Sequence, residues 1–501
     1  MEYLFEIIRG PYAGITVIAA AVLVSLTAGF SGNINVKLSM AALNAASYIG
    51  CFYLYVRNFI LYGPYSGFLT DLGIAGIILS GTVVFCGLNI LFFLSLNRIS
   101  GKNFVRAVIL LSFSVVSVLL LVMADNAVLV VTSVIISVLS IFNLLASLET
   151  GNMHSREYLG KFGVRSALPA ALLLFGFSVL AGSGGIKNIS VYASTGDRGS
   201  PPVILSTCIF ACALYLYFFL YPFQGIFLRF IRRTGFTSSA VLWFLYIPAG
   251  MVLVIKFSPF FDLFAGKVNL YGFLIIAILG SLNLMGAGLG AIKAASTRRI
   301  LSMFLLFQLG TVLLMRSSVF MDTGPALPPA VYDVALLVVT LAAFLPLSLL
   351  ASIMGRKNGD DSIFGAQGLI RRHPYPGICF CFLLIWWLAA DVYIFMSKGL
   401  LQGKALSAPY VYWIILSAVF ITAVLLMAAN VIRIITLFFR KPLKADEVKR
   451  DGFPRVFYAY LTLFMLLAAF SLVLVAIGEL GMGEDHIYIW GKTFYIFGNG
   501  N

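Results

Sequence analysis

Histidine, cysteine and charge are all scarce in this chain, and each shortage closes off a class of function. Its 501 residues include three histidines and six cysteines, and only 11% are charged. The histidines (His154, His373, His486) all fall outside the apolar blocks, so haem ligation from within a bilayer is not expected. The cysteines (Cys51, Cys86, Cys208, Cys212, Cys379, Cys381) lie inside apolar blocks, where they behave as small hydrophobes. Their spacing suggests neither a disulfide frame nor a cluster site. Cys208 and Cys212 share a helix face, but without a neighbouring histidine or acid they make a poor metal site. There is no phosphate-binding Gly-rich loop, dinucleotide fingerprint, zinc pattern or Ser/His/Asp order. Gly182-Ser-Gly-Gly185 is a linker, because no strand precedes it. No flavin, iron–sulfur cluster, quinone site or metal is expected on the chain itself.

What the chain has in abundance is apolar length. Hydrophobic residues make up 61% of it, in blocks of about 17–25 residues, the length needed to cross a bilayer. Fourteen blocks are expected, at 14–30, 38–56, 73–97, 104–123, 127–148, 164–182, 203–224, 237–256, 270–292, 299–315, 331–354, 377–397, 410–436 and 456–478. The first follows Glu2, Glu6 and Arg9 and reads as a retained span. The expected fold is an all-α polytopic membrane domain. The net charge of +15 does not indicate nucleic-acid binding, because the basic residues sit between apolar blocks and act as topology signals.

Alternate loops, beginning with the one after block 1, carry most of the 34 lysines and arginines. That bias places those loops in the cytoplasm and both termini on the other side, in a cytoplasmic (inner) membrane. The densest cluster, Arg440-Lys-Pro-Leu-Lys444 with Lys449, Arg450 and Arg455, suits anionic lipid headgroups. The Gly/Ser/Pro-rich stretch 183–202 suits an exposed outer connection.

The seventh block is interrupted. Tyr215-Leu-Tyr-Phe-Phe-Leu-Tyr-Pro222-Phe-Gln-Gly225 carries Pro222 and Gly225 inside an apolar run, followed by Arg229, Arg232 and Arg233. Pro222 removes a backbone donor and crowds the preceding turn. In lipid such a break survives only where protein or internal water satisfies the freed groups. It is either a simple kink or one side of an ion path.

Four stretches give the chain a resemblance to a known family. Tyr221-Pro222-Phe223-Gln224 is similar to that family's Pro-Phe-His segment in a broken seventh span. Thr297-Arg-Arg-Ile-Leu-Ser302 with Gln308-Leu-Gly310 resembles its basic entry into span 10. Gly368-Leu-Ile-Arg-Arg-His-Pro374 resembles its lead-in to span 12, and Phe395-Met-Ser-Lys398 falls where it has Gly-Phe-x-Gly-Lys. The family comprises the antiporter-like membrane subunits of proton-translocating NADH–quinone oxidoreductase (complex I). Subunit N is the nearest type, with relatives in cation/proton antiporter complexes and membrane-bound hydrogenases. The resemblance covers about residues 100–440. It implies fourteen spans, inverted five-helix repeats at 104–256 and 270–436, broken spans 7 and 12, and a separate tail region, 437–501. It also implies a place among other membrane subunits of a redox-driven proton- or cation-translocating complex.

The family's ionisable residues are mostly replaced. The span 5 glutamate position falls near Ile135, the span 7 lysine position is Tyr217 and the span 10 histidine position is Gln308. The Val241–Val252 stretch of span 8 has no lysine, and the span 12 Pro-Pro position is Ala390-Asp391. Lys398 alone keeps an expected ionisable group. Lys398 and Asp391, seven residues apart, are two helical turns apart and able to share a face. Lys398 is either a proton site with Asp391 as its partner or a residue that snorkels outward. Asp333 and Arg433 each read as a buried functional charge or an interfacial one. Tyr217, Gln224 and Gln308 line a candidate proton path or pack as ordinary bundle residues. Ser133, Ser137 and Ser140 read as interhelical hydrogen-bond partners. Three functions remain open: an energy-coupling subunit, a non-conducting scaffold of the same complex, and a stand-alone secondary transporter.

Overall fold

The computed structural model describes residues 12–28, 34–62, 65–66, 71–72, 74–96, 101–149, 153–184, 201–265, 270–319, 340, 344, 347–348, 367–401 and 410–440. Asp333, the basic loop from Lys441 and the expected last span and tail lie outside the described residues. So do some helix-end side chains, including that of Lys398.

In chain order the helices are α1 (Tyr12–Ala28), α2 (Ile34–Tyr62), α3 (Ile74–Leu96), α4 (Gly101–Met123), α5 (Ala127–Leu148), α6 (Met153–Gly184), α7 (Pro201–Tyr217), α8 (Gln224–Arg233) and α9 (Phe236–Val241). A π-turn (Leu242–Tyr246) leads into α10 (Ile247–Ala265), followed by α11 (Leu270–Ile292), α12 (Thr297–Val319), α13 (Leu369–Arg372), α14 (Pro374–Leu401) and α15 (Tyr410–Phe439). One small antiparallel pair, β1 (Tyr65–Ser66) with β2 (Asp71–Leu72), joins α2 to α3. Among the described residues, eight helices are long and apolar enough to cross a membrane, and three shorter helices are apolar. The chain is a multi-pass, all-α membrane protein.

The chain divides into two compact units: α1–α10 form the first, and α11–α15 together with Leu220–Pro222 belong to the second. In the first, the continuous helix α9–π–α10 is the centre, packed against α3, α4, α5 and α7. Within it, 94% of the span Phe236–Phe257 is buried, so its apolar character all round reflects protein packing and not lipid contact. In the second unit α11 packs on α12 and α15, and α14 packs on α12, α13 and α15. Only 33% of the α15 span is buried, and it exposes Ile414, Ile421, Leu425 and Ile432.

Lipid tails are as apolar as leucine, so burial alone does not drive helices together there; close approach and interhelical hydrogen bonds do. At Gly176 a side chain would collide with the Phe210 ring, and this close approach lets Ser206 Oγ donate to the Gly176 carbonyl at 3.0 Å. A buried network ties α1, α2 and α4. Asn44 Nδ2 donates to Ser25 Oγ (2.8 Å), Ser112 Oγ donates to Asn44 Oδ1 (2.9 Å), and Tyr48 shares a 2.8 Å bond with Ser112. Asn126 starts α5, its Oδ1 capping Val128 N–H at 2.9 Å.

Block 7 is broken as expected, but block 12 is not. α14 runs unbroken from Pro374 to Leu401. The physical reason is local: Ala390 and Asp391 both supply a backbone N–H where the resembling family has prolines.

Candidate functional site

The break in the first unit begins where α7 ends at Tyr217. Phe218 N–H still closes an α-turn onto Leu214 O (3.1 Å), and Phe219 N–H then tightens onto Leu216 O (3.2 Å). Phe219 takes φ 50°, a left-handed conformation that is costly for a residue with a side chain. Its ring is held by stacking on Phe162 (5.2 Å) and Phe227 (6.3 Å). Pro222 sits in the break, after a cis peptide bond. Gly225 does not; it is the second residue of α8, and its carbonyl accepts from Arg229 Nε at 2.9 Å. α8 buries Phe227, Leu228, Phe230 and Ile231 and exposes Arg229, Arg232 and Arg233.

Opposite the end of α7 stands the π-turn. Pro248 has no N–H to offer the carbonyl four residues back, and the helix widens just before it, Ile247 N–H reaching Leu242 O. Tyr217 and Tyr246 close this region by a reciprocal bond: Tyr217 OH donates to Tyr246 O (3.2 Å), and Tyr246 OH donates to Tyr217 O (3.0 Å). The two rings stack at 4.3 Å with an interplanar angle of 4°, and both residues are 1% exposed. Gly250 makes room for them, since a Cβ there would meet the Tyr217 ring at 2.7 Å. The Tyr246 hydroxyl thereby satisfies the carbonyl of Tyr217, the last residue of α7, where intrahelical donors run out. At the position where the resembling family has lysine, the first unit therefore holds a sealed aromatic pair.

The second unit holds a different constellation. α12 positions Gln308 and α14 positions Trp387 and Asp391, one helical turn apart. Gln308 Nε2 donates to Asp391 Oδ1 at 2.7 Å, and Trp387 Nε1 donates to Gln308 Oε1 at 3.1 Å. Asp391 is 0% exposed, and its Oδ2 has no partner among the described residues. No described lysine or arginine lies within ion-pair distance; the one ion pair among the described residues is the exposed Lys161–Glu157. Aromatic rings wall the cluster, Phe304 stacking on Trp387 at 4.9 Å with Phe307 and Phe344 edge-on.

The remaining candidates are dispersed. Lys398 lies near the C-terminal end of α14, its side chain outside the described residues. Gln224 begins α8, with its Oε1 buried and unpartnered. Arg433 caps the C-terminal end of α11, donating to Ile292 O and, at 2.6 Å, to Ala294 O; a cation suits that end of a helix dipole. Of Ser133, Ser137 and Ser140, the hydroxyl of Ser137 bonds back to Val134 O within its own helix, and Ser133 Oγ is unpartnered. Asn283 links the strip Leu220–Pro222 to α12: Tyr221 N–H donates to Asn283 Oδ1 (3.3 Å), and Asn283 Nδ2 donates to Leu306 O (2.5 Å).

Two ionisable residues escape sequence reasoning. Glu149, 7% exposed, accepts from Gly235 N–H and Ser238 Oγ, both at 2.6 Å, so a carboxylate ending α5 caps the start of α9. Its partner is 86 residues away, and no local motif marks it. Lys256 closes block 8 and is 9% exposed; its position at a block edge gives it the look of an interfacial residue. Among the described residues no three His, Cys, Asp or Glu side chains come together to hold a metal ion.

The fold, unlike the sequence, has solved counterparts. A chain of respiratory complex I from Thermus thermophilus, solved with bound aureothin, superposes with a TM-score of 0.71 over 93% of this chain and 98% of that one, at 14% identity. The fold is shared with that chain of respiratory complex I. The membrane-bound sulfane sulfur reductase, an archaeal respiratory membrane complex, supplies a second likeness: TM-score 0.75, 13% identity, and coverage of 98% of this chain and 97% of that one. No protein-family model matches this chain, and no curated protein sequence does.

Proposed function

We propose that this chain is an energy-coupling membrane subunit of a redox-driven proton- or cation-translocating complex, and that Asp391 is the group that takes up and releases the proton. One observation carries the reading: a fully buried carboxyl on a membrane span, with one oxygen hydrogen-bonded and the other unspent. Ionisable groups at that depth are costly and rarely kept without a task. A carboxyl with a free oxygen has a place for an arriving proton, and Gln308 stabilises the negative charge when the proton leaves. The fold of the whole chain, shared with chains of two respiratory complexes, supports placement among other membrane subunits in a cytoplasmic membrane. Under this reading residues 104–256 and 270–436 are two inverted repeats, both termini lie outside the cytoplasm, and Lys398 exchanges protons with Asp391 along α14.

A second reading, a non-conducting scaffold in the same complex, is favoured by the sealed Tyr217–Tyr246 pair in the first unit. The deciding experiment is Asp391→Asn in the complex purified from native membranes. The subunit reading expects normal assembly and a large loss of redox-coupled proton uptake. Undiminished uptake selects the scaffold. Recovery of the chain alone in a tagged pull-down would instead select a stand-alone transporter.

A further inference from the structure

The carboxyl of Asp391 has two oxygens, and the geometry points to a residue that decides which of them holds the proton. We infer that Trp387 is a positioning residue that fixes the orientation of the Gln308 amide and thereby confines the proton of Asp391 to Oδ2. This inference rests on the reading of Asp391 as a proton-holding group.

Indole Nε1–H is a donor only, a side-chain amide has one acceptor end and one donor end, and a carboxyl oxygen accepts unless it carries the proton. The 3.1 Å bond from Trp387 Nε1 therefore requires Gln308 Oε1 to face the indole. The NH2 end then faces Asp391, and Oδ1, at 2.7 Å, must accept. That leaves Oδ2 for the proton, the oxygen with no partner among the described residues. The assignment follows from donor chemistry and not from which amide atom is drawn where. Phe304 stacks flat on the indole, 4.9 Å away and 11° from parallel, so Trp387 cannot swing aside without losing that contact. Gln308, 3% exposed, has no water-facing surface to stabilise a flipped amide. The three residues thus form a directional chain, Trp387 to Gln308 to Asp391, in which every donor points the same way.

Without the indole N–H, nothing distinguishes the two ends of the amide. Gln308 turned about its last torsion presents Oε1 to Asp391 and accepts a proton held on Oδ1. Trp387→Phe keeps an aromatic ring against Phe304 and removes only the donor. The single orientation should become two.

Infrared difference spectroscopy of the full chain in lipid nanodiscs reads this directly, because the C=O stretch of a protonated carboxyl moves down when its carbonyl oxygen accepts a hydrogen bond. Asp391→Asn assigns the band by removing it. The native chain should show one lowered band, Gln308→Met one band displaced upward, and Trp387→Phe both bands together, with circular dichroism of each variant matching the native chain. A single band at the native position in Trp387→Phe overturns the positioning role. An unmoved band in Gln308→Met overturns it equally, even if Trp387→Phe fails to fold. A native spectrum with no band sensitive to Asp391→Asn at any pH sampled removes the proton-holding reading itself, a failure distinct from the other two.

Discussion

Tyr217 in the first unit and Asp391 in the second are both buried on membrane helices, and both replace residues that the resembling family uses for its chemistry or its helix breaks. They meet opposite surroundings. Around Tyr217 every polar capacity is used: two hydroxyls and two carbonyls satisfy one another, and the rings stack without a gap. Around Asp391 one oxygen is used and one is left over. A site that moves protons needs hydrogen-bond capacity that the ground state does not consume, whereas a site that holds helices together gains from consuming all of it. By that measure the Tyr217 pair is spent on holding helices together, while Asp391 keeps one oxygen unspent.

The sharpest way to break this contrast is to make that pair ionisable. Tyr217→Lys places an amine in the sealed pair and should cost about 3 kcal/mol, the insertion-scale penalty for a charge at helix centre, seen as lost expression or a lower unfolding temperature in detergent. A stable, proton-conducting Tyr217→Lys chain would show that the first unit tolerates charge after all. Next comes Asp391→Asn, expected to lower coupled proton uptake at least about tenfold, which is about 1.4 kcal/mol on the barrier, without altering thermal stability. Glu149→Gln should destabilise by about 1–2 kcal/mol, because the amide is a weaker acceptor than the charged cap it replaces; thermal unfolding with transport unchanged is the check. Tyr246→Phe removes one of the two reciprocal bonds and should cost about 1 kcal/mol, with uptake at the native rate. Leu425→Ala, on the exposed face of α15, should stay within about 0.5 kcal/mol unless a neighbouring subunit covers that face.

Much of the fold was legible because membrane spans are long, contiguous and apolar. Pro222 announced the broken block, since a missing N–H in lipid demands a local rearrangement. Gly225 misled, because a glycine three residues past a proline looks like part of a break yet fits the first turn of the next helix equally well. The break expected in block 12 came from family likeness, although Ala390 and Asp391 stand at the Pro-Pro position and retain their donors. Asp391 and Gln308 were visible as polar residues inside apolar blocks, but their pairing spans 83 positions and periodicity says nothing at that range. Trp387 had no distinguishing mark at all, being one of two adjacent tryptophans in an apolar run. Arg433 read as either a buried charge paired with an acid or an interfacial one. The structure gives it carbonyl oxygens instead, a partner type that every helix end offers and no residue letter reveals.

The widened turn at Leu242–Tyr246 has a consequence for anyone aligning this chain. A π-turn takes in one residue beyond the α-helical count with little added length, so every later side chain in the same span is rotated by about 100° relative to an uninterrupted helix. An alignment that runs gap-free through Pro248 therefore compares residues on different faces from that point on. Lys256 belongs to the rotated portion. Whether a distant homologue keeps a lysine "in the same place" must be asked with a one-residue gap at the turn, and homologues lacking the turn should show their equivalent cation one position earlier.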